Sequence, residues 1–173
     1  YLLLAAMAMA LTILLTPAVR WACLRFHILP PLRGRDLQKK PIPRLGGVAM
    51  TIALIVTMLL ASRIPYMAPL FTTTVPWAVM ACAGAMCILG IIDDIIELDW
   101  MAKLGGQVLI AGGMAFGGVQ LASFPIFGIT LGSSRLWLFI SVLFIVGIMN
   151  AVNFIDGLDG LASGMIAIGA GSF

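Results

Sequence analysis

The sequence predicts an all-α protein, a polytopic bundle of membrane helices that forms one integral membrane domain over residues 1–173. Hydrophobic residues occupy 62% of the positions and charged residues only 10%, whereas soluble domains are about 25% charged. Six apolar runs have or approach the roughly 20 residues that a helix needs to cross a bilayer. They are residues 1–19, 46–62, 76–92, 104–118, 136–155 and 160–173. We therefore expect about six transmembrane helices and a lipid bilayer as partner.

The first run lacks the charged start and small-residue cleavage site of a signal peptide, so we interpret it as a span. Most of the basic residues follow it in a single loop, 20–45, which gives no reason to expect nucleic-acid binding. These seven are Arg20, Arg25, Arg33, Arg35, Lys39, Lys40 and Arg44. The positive-inside rule places that loop in the cytoplasm. Alternation of spans then places 93–104 and 155–160 on the same face.

The second run opens with Gly46-Gly47, directly after Arg44. The third run ends in the acidic pair Asp93-Asp94, and the loop behind it leads to the fourth run. Lys103 opens that fourth run, and Gln107 follows one turn later on the same helix face. The spacings Gly113-x-x-x-Gly117 and, further on, Gly160-x-x-x-Gly164 predict close helix packing.

Between the fourth and fifth runs, residues 119–134 alternate around a Pro and a Gly and predict a small extracytoplasmic hairpin. The fifth run ends in Asn150 and Asn153, whose i, i+3 spacing puts them on one face that leads to Asp156. Asp159 comes immediately before the sixth run. That run has 14 residues, about 21 Å of helix, which is too short to cross. Because the chain starts at Tyr1 and stops within an apolar stretch, we expect it to be part of a longer protein.

The acidic residues stand at helix ends that do not favour them. A helix C-terminus carries about half a negative charge, yet Asp93, Asp94 and Asp156 follow the third and fifth runs at that end. A shared cation would remove the repulsion, and hard carboxylate oxygens favour Mg²⁺, with Mn²⁺ as a second candidate. Helix N-termini on the same face would supply donors for phosphate. Two alternatives stay open: the acidic pair is a solvated loop start, and the asparagines only join helices.

At this point three motifs resemble a family, the polyprenyl-phosphate N-acetylhexosamine-1-phosphate transferases, which include the MraY and WecA/TagO branches. The motifs are Pro41-Ile-Pro43-Arg44-Leu-Gly46-Gly47, then Asp93-Asp94 with Lys103 and Gln107, then Asn150-x-x-Asn153-Phe-x-Asp156-Gly-x-Asp159-Gly160. The Pro-x-Pro-Arg form is similar to the WecA/TagO branch. The resemblance covers the whole chain, as the N-terminal part of an enzyme of about ten spans.

The resemblance implies an Mg²⁺-dependent enzyme of the bacterial inner membrane, with its active site on the cytoplasmic face. Its substrates would be a UDP-N-acetylhexosamine, with GlcNAc favoured, and undecaprenyl phosphate. The catalytic residues it implies are Asp93, Asp94, Asp156 and Asp159, the first three also as metal ligands. The substrate-binding residues it implies are Arg44, Gly46, Gly47, Lys103, Gln107, Asn150 and Asn153. The present chain alone is expected to be inactive, and a homodimer is one further expectation.

Three other functions remain as alternatives. An MraY-like phospho-MurNAc-pentapeptide transferase would use the same motifs. A cation transporter would use intramembrane carboxylates, but it predicts them at mid-span rather than at helix ends. A CDP-alcohol phosphotransferase would begin its motif like Asp156-Gly-Leu-Asp159-Gly, but no Arg follows here.

Overall fold

The computed structural model describes residues 2–26, 45–121, 134–155 and 161–172. In these ranges the chain forms α-helices, a short 3₁₀ helix over Ala68–Thr72 and no strand, which confirms the predicted all-α class. The α-helices are α1 (Leu2–Arg25), α2 (Gly46–Ala61), α3 (Val75–Ile96), α4 (Trp100–Phe116), α5 (Ser134–Ile155) and α6 (Leu161–Gly171). The predicted hairpin falls mostly on 122–133 and lies outside the described residues.

Three of these helices are long and apolar enough to cross a membrane: α1, α3 and, from Arg135 onward, α5. Helices α2, α4 and α6 are shorter, with 16, 17 and 11 residues. At 1.5 Å per residue α2 and α4 rise about 24–26 Å, slightly less than a typical hydrocarbon core. The chain is therefore a multi-pass membrane protein, as its composition predicted.

Two helices extend further than the apolar runs indicated. Helix α1 continues to Arg25, so Arg20 and Arg25 lie within it and not in the loop that was expected to hold them. Both arginines are exposed, and long basic side chains can keep the charge in a polar layer while the helix continues. Helix α4 starts earlier than predicted because Asp99 caps it: the carboxylate accepts a hydrogen bond from the Met101 amide at 3.4 Å. Lys103 is thus the fourth residue of α4.

Helices α3 and α4 form an antiparallel hairpin whose contact depends on glycine. A Cβ at Gly106 would lie 2.9 Å from the Leu89 side chain, and one at Gly117 would overlap the Cβ of Ala78. Between these levels, the Cys82 thiol lies 3.6 Å from the carbonyl oxygen of Ile110. The predicted close packing at Gly113 and Gly117 is confirmed. At Gly164 no described atom lies within 4 Å of a Cβ built there, and Gly160 lies outside the described residues, so close packing at this second spacing stays a prediction.

Small side chains also make up most of the buried surfaces of α2 and α4. On α2 the buried residues recur every four positions, as one narrow stripe: Ala49, Ala53, Thr57 and Ala61. On α4 the buried stripe consists of Gln107, Ala111 and Ala115. Small residues let helix backbones approach closely where no hydrophobic effect drives association. Gln107 is the polar member of this stripe and lies at its N-terminal end.

The hairpin contact gives a stability prediction. We expect Gly117→Ala to destabilise the complete protein by about 1–3 kcal/mol, because the new methyl group overlaps Ala78. Gly112→Ala is the matched control: a Cβ there has open space, and alanine favours the helix by roughly 0.5–1 kcal/mol. Thermal unfolding of purified protein in detergent measures both. An unchanged melting temperature for Gly117→Ala would contradict the packing.

Candidate functional site

Three helix ends meet at one end of the bundle: the C-terminus of α3, the N-terminus of α4 and the C-terminus of α5. The first junction is an ion pair in which Lys103 Nζ lies 2.8 Å from Asp93 Oδ2. The second is a hydrogen bond from Asn150 Nδ2 to Gln107 Oε1, also 2.8 Å long. These contacts bring together residues from the second and third sequence motifs.

The turn between α3 and α4 positions the ion pair. Helix α3 ends at Ile96, and the next residue, Glu97, adopts a left-handed conformation (φ 52°) while its amide still donates to the Asp93 carbonyl. Asp99 then caps α4, so only three residues separate the helices. This short reversal places Asp93, in the last turns of α3, opposite Lys103, near the start of α4.

The ion pair also resolves an electrostatic problem. Asp93 stands near the negative pole of α3, and Lys103 near the positive pole of α4, so each charge is unfavourable on its own helix. Facing each other, the two charges compensate both helix ends. From the sequence we expected a metal cation beside Asp93. The structure shows that the Lys103 ammonium also contacts this carboxylate. Both side chains remain partly accessible, at 30% for Lys103 and 25% for Asp93.

In the second junction, Gln107 is deeply buried and Asn150 is half-buried. Gln107 is 1% exposed and accepts a hydrogen bond from Asn150 Nδ2, which also donates to the Val146 carbonyl at 2.9 Å. The prediction that Asn150 forms a hydrogen bond between helices is thus confirmed. It does not exclude a role in binding, because both amides border a cavity.

That cavity has a volume of about 210 Å³. Four residues that the motifs singled out line it, together with two large exposed aromatic side chains and a leucine that sequence reasoning missed. The lining consists of Trp100, Lys103, Leu104, Gln107, Asn150, Asn153 and Phe154. The signal for the aromatic residues was their position: Phe154 follows Asn153 directly, and Trp100 opens the helix that carries Lys103 and Gln107.

A shallow apolar groove, open to the surroundings and lined by α4 alone, adjoins the polar cavity. It shares Trp100 and Leu104 with the cavity. Its remaining lining is Met101, Gly105, Val108 and Leu109. A ligand with a polar head and an apolar tail could therefore occupy both spaces, with the head between α4 and α5.

The other predicted site residues divide into two groups. Asp94 follows Asp93 on α3, and Gly46 and Gly47 open α2 as expected, with no described atom within 4 Å of a Cβ built on either glycine. Arg44, Asp156 and Asp159 lie outside the described residues. Within the described ranges no three His, Cys, Asp or Glu side chains gather as a metal site. The metal set of Asp93, Asp94 and Asp156 stays a prediction.

Comparison with known proteins identifies a family whose sequence profile the chain matches. Residues 76–173 match the sequence profile of glycosyl transferase family 4. The chain is 35% identical over 164 residues to decaprenyl-phosphate N-acetylglucosaminephosphotransferase of Mycolicibacterium smegmatis, covering 91% of this chain and 40% of that protein. It is 33% identical over 159 residues to a probable undecaprenyl-phosphate N-acetylglucosaminyl 1-phosphate transferase of Bacillus subtilis, covering 91% of this chain and 42% of that protein.

A relative of a second kind also matches. Phospho-N-acetylmuramoyl-pentapeptide-transferase of Chlorobium phaeovibrioides is 28% identical over 201 residues, covering all of this chain and 53% of that protein. The chain therefore spans about two-fifths to one-half of the length of these relatives. No solved structure matches the chain.

The ion pair predicts an energetic coupling. In a double-mutant cycle of Asp93→Asn and Lys103→Met, we expect about 0.2–1 kcal/mol of coupling in unfolding free energy, the range for partly exposed pairs. Arg135→Met, on the first turn of α5, is the control partner for Asp93→Asn and should combine with it additively. Zero coupling between Asp93 and Lys103 would show that the contact does not contribute to stability.

Proposed function

Because the chain belongs to glycosyl transferase family 4, we propose that the complete protein transfers N-acetylglucosamine 1-phosphate from UDP-GlcNAc to a polyprenyl phosphate such as undecaprenyl phosphate. The names of two similar proteins, from Mycolicibacterium smegmatis and Bacillus subtilis, support this reaction class. The observation that carries the proposal is the cavity where Lys103, Gln107, Asn150 and Asn153 meet beside Asp93.

The chemical step displaces one phosphate group by another. An oxygen of the lipid phosphate attacks the phosphorus that bears the sugar, the bond to the UMP phosphate breaks, and UMP leaves with the bonding electrons. Several anionic oxygens must approach one another, so fixed donors and positive charge are the main requirement. Lys103 supplies a cation that lines the cavity, and Asp93 takes only one of the three N–H donors of its ammonium.

The adjoining apolar groove suits the lipid substrate. A polyprenyl phosphate has a charged head and a long hydrocarbon tail, and the groove along α4 opens from the polar cavity at Trp100 and Leu104. Placing the head near Lys103 would leave the tail along Val108 and Leu109, which are exposed side chains of the same helix.

The acidic residues fit a divalent metal. Asp93 and Asp94 are consecutive, and Asp93 is one-quarter exposed with its Oδ1 not engaged by Lys103. Hard carboxylate oxygens of this kind hold Mg²⁺, or alternatively Mn²⁺. A bound Mg²⁺ would neutralise charge on the diphosphate. We assign Asp156 to the same metal set, and one of Asp93 and Asp94 to accepting a proton from the lipid phosphate.

The remaining predicted residues keep the roles that the motifs suggest. Asp159 belongs with the catalytic acids. Arg44, Gly46 and Gly47 are proposed phosphate-binding residues at the start of α2. We propose that the site lies on the cytoplasmic face of the bacterial inner membrane. The cytoplasmic side is supported by seven of the ten basic residues, which lie between 20 and 44. Homodimer formation stays a prediction.

One alternative has an observation in its favour. The similarity to a phospho-N-acetylmuramoyl-pentapeptide-transferase extends over all of this chain, so the donor could instead carry a MurNAc-pentapeptide. The Pro41-Ile-Pro43-Arg44 form and the higher identities to the N-acetylglucosamine enzymes favour GlcNAc. A panel of UDP-sugars with undecaprenyl phosphate would decide between them.

We expect Asp94→Asn to abolish UMP release by the complete, membrane-inserted protein, because an amide neither holds a divalent cation as a carboxylate does nor accepts the proton. The measurement is UMP formation from UDP-GlcNAc and undecaprenyl phosphate. Asp99→Asn is the control: it removes a carboxylate five residues later, but asparagine still caps α4. Near-normal UMP release by Asp94→Asn would contradict the assignment of Asp94 to the catalytic site.

Removal of divalent cations should stop the reaction. We expect EDTA to abolish UMP release and Mg²⁺ to restore it, with Mn²⁺ as a partial substitute. Full activity in EDTA would contradict the metal assignment. Metal-dependent uptake by vesicles, without turnover of any UDP-sugar, would instead support the cation transporter.

A further inference from the structure

One buried donor in the cavity wall lacks a partner. Gln107 is 1% exposed, and its Nε2 makes no hydrogen bond to any described residue. An unmade hydrogen bond at a buried amide costs about 1–3 kcal/mol, and the apolar surroundings of a membrane helix offer little compensation. Such a donor at the edge of a cavity indicates a group that accepts from it when the cavity is filled.

The neighbouring contacts determine which atom of Gln107 is left without a partner. The Val146 carbonyl can only accept, so the Asn150 atom 2.9 Å from it must be the amide nitrogen. That nitrogen lies 2.8 Å from Gln107, where it needs a second acceptor, which must be Oε1. Rotating the Gln107 amide by 180° would set two NH₂ groups against each other. The hydrogen bonds from Asn150 to Val146 and to Gln107 therefore leave Nε2 as the Gln107 atom without a partner.

The surroundings indicate what this donor binds. Lys103 lies one turn before Gln107 on α4 and lines the same cavity, as do the amide groups of Asn150 and Asn153. The carboxylate of Asp93 is already paired with Lys103. A neutral donor beside an ammonium suits an oxygen with negative charge, and hydrogen bonds to charged groups are the stronger ones.

We infer that Gln107 Nε2 donates to an anionic phosphate oxygen of a bound substrate, and that Asn150 is a positioning residue that acts through Gln107. The inference rests on the proposed function, because the phosphate would come from the polyprenyl phosphate or from the nucleotide diphosphate. It assigns the two amides different tasks. Gln107 contacts the substrate, and Asn150 keeps the Gln107 amide from turning its oxygen toward it.

Gln107→Met removes the donor while keeping the length of the side chain. We expect it to raise the KM of one substrate about tenfold, the loss for one hydrogen bond to a charged group. Asn150→Leu should raise the same KM by a smaller factor, because Gln107 can then rotate. In the double variant the Asn150 change should have no further effect. Independent, multiplying effects would overturn the positioning role.

Two further variants keep the test decisive. Ser141→Ala is the matched control on α5: Ser141 is equally buried and also donates to a carbonyl four residues earlier, that of Trp137. It should leave both KM values unchanged. If Gln107→Met fails to fold, Gln107→Glu still accepts from Asn150 but turns an anionic oxygen to the substrate, so its KM should rise by more than tenfold. A wild-type KM in Gln107→Glu would overturn the inference.

Separate KM measurements for undecaprenyl phosphate and UDP-GlcNAc identify the source of the phosphate, since only one should change. No change in either overturns the inference while leaving the proposed function intact. If the wild-type protein releases no UMP from any UDP-sugar, the proposed function fails, and inorganic pyrophosphate becomes the probe. Tighter binding of pyrophosphate to wild type than to Gln107→Met, by about tenfold in titration calorimetry, would still support the donor. Equal binding would overturn it.

Discussion

Along the contact between α3 and α4, glycines of α4 meet larger side chains of α3 at successive levels. Gly117 lies against Ala78 and Gly106 against Leu89, and the same antiparallel register continues to Lys103 opposite Asp93. A shift along this contact would bring larger α4 residues against Leu89 and Ala78 in place of the glycines and would separate the ion pair. The register also rotates α4 so that Gln107 faces α5. The polar end of the bundle therefore depends on how small and apolar side chains pack along the hairpin.

The polar end is an arrangement of charges that are unfavourable one at a time. Asp93 faces the negative pole of its helix and Lys103 the positive pole of its own. The hairpin brings the two opposite charges together, so each compensates the unfavourable helix end of the other. This arrangement keeps a carboxylate and an ammonium together at the end of membrane helices. It also places a cation at the wall of the cavity that we propose binds phosphate. Stability and proposed chemistry thus draw on the same pair.

Sequence reasoning located most of this site because its residues stand in short motifs at helix ends. Helical periodicity was enough to place Asn150 and Asn153 on one face, and Gln107 one turn after Lys103, and the structure brings all four to one cavity. The Asp93–Lys103 pair was missed, because the two residues were assigned to separate tasks. Trp100 was missed because large exposed aromatic residues are common near membrane surfaces. Phe154 was not singled out as a site residue, although it follows Asn153 within the third motif. The ends of α1 and α4 differed because capping and basic side chains extend a helix beyond its apolar run.

The sequence by itself determined the all-α membrane class, the order of the helices and the identity of the polar residues at their ends. These follow from local properties, namely hydropathy, helical spacing and the cost of a charge in hydrocarbon. Only the tertiary structure decided which polar groups pair: Lys103 with Asp93, and Asn150 with Gln107. Pairing depends on the rotation and register of neighbouring helices, and these are set by how glycine and alanine surfaces fit across an interface. No single segment of the chain contains that information.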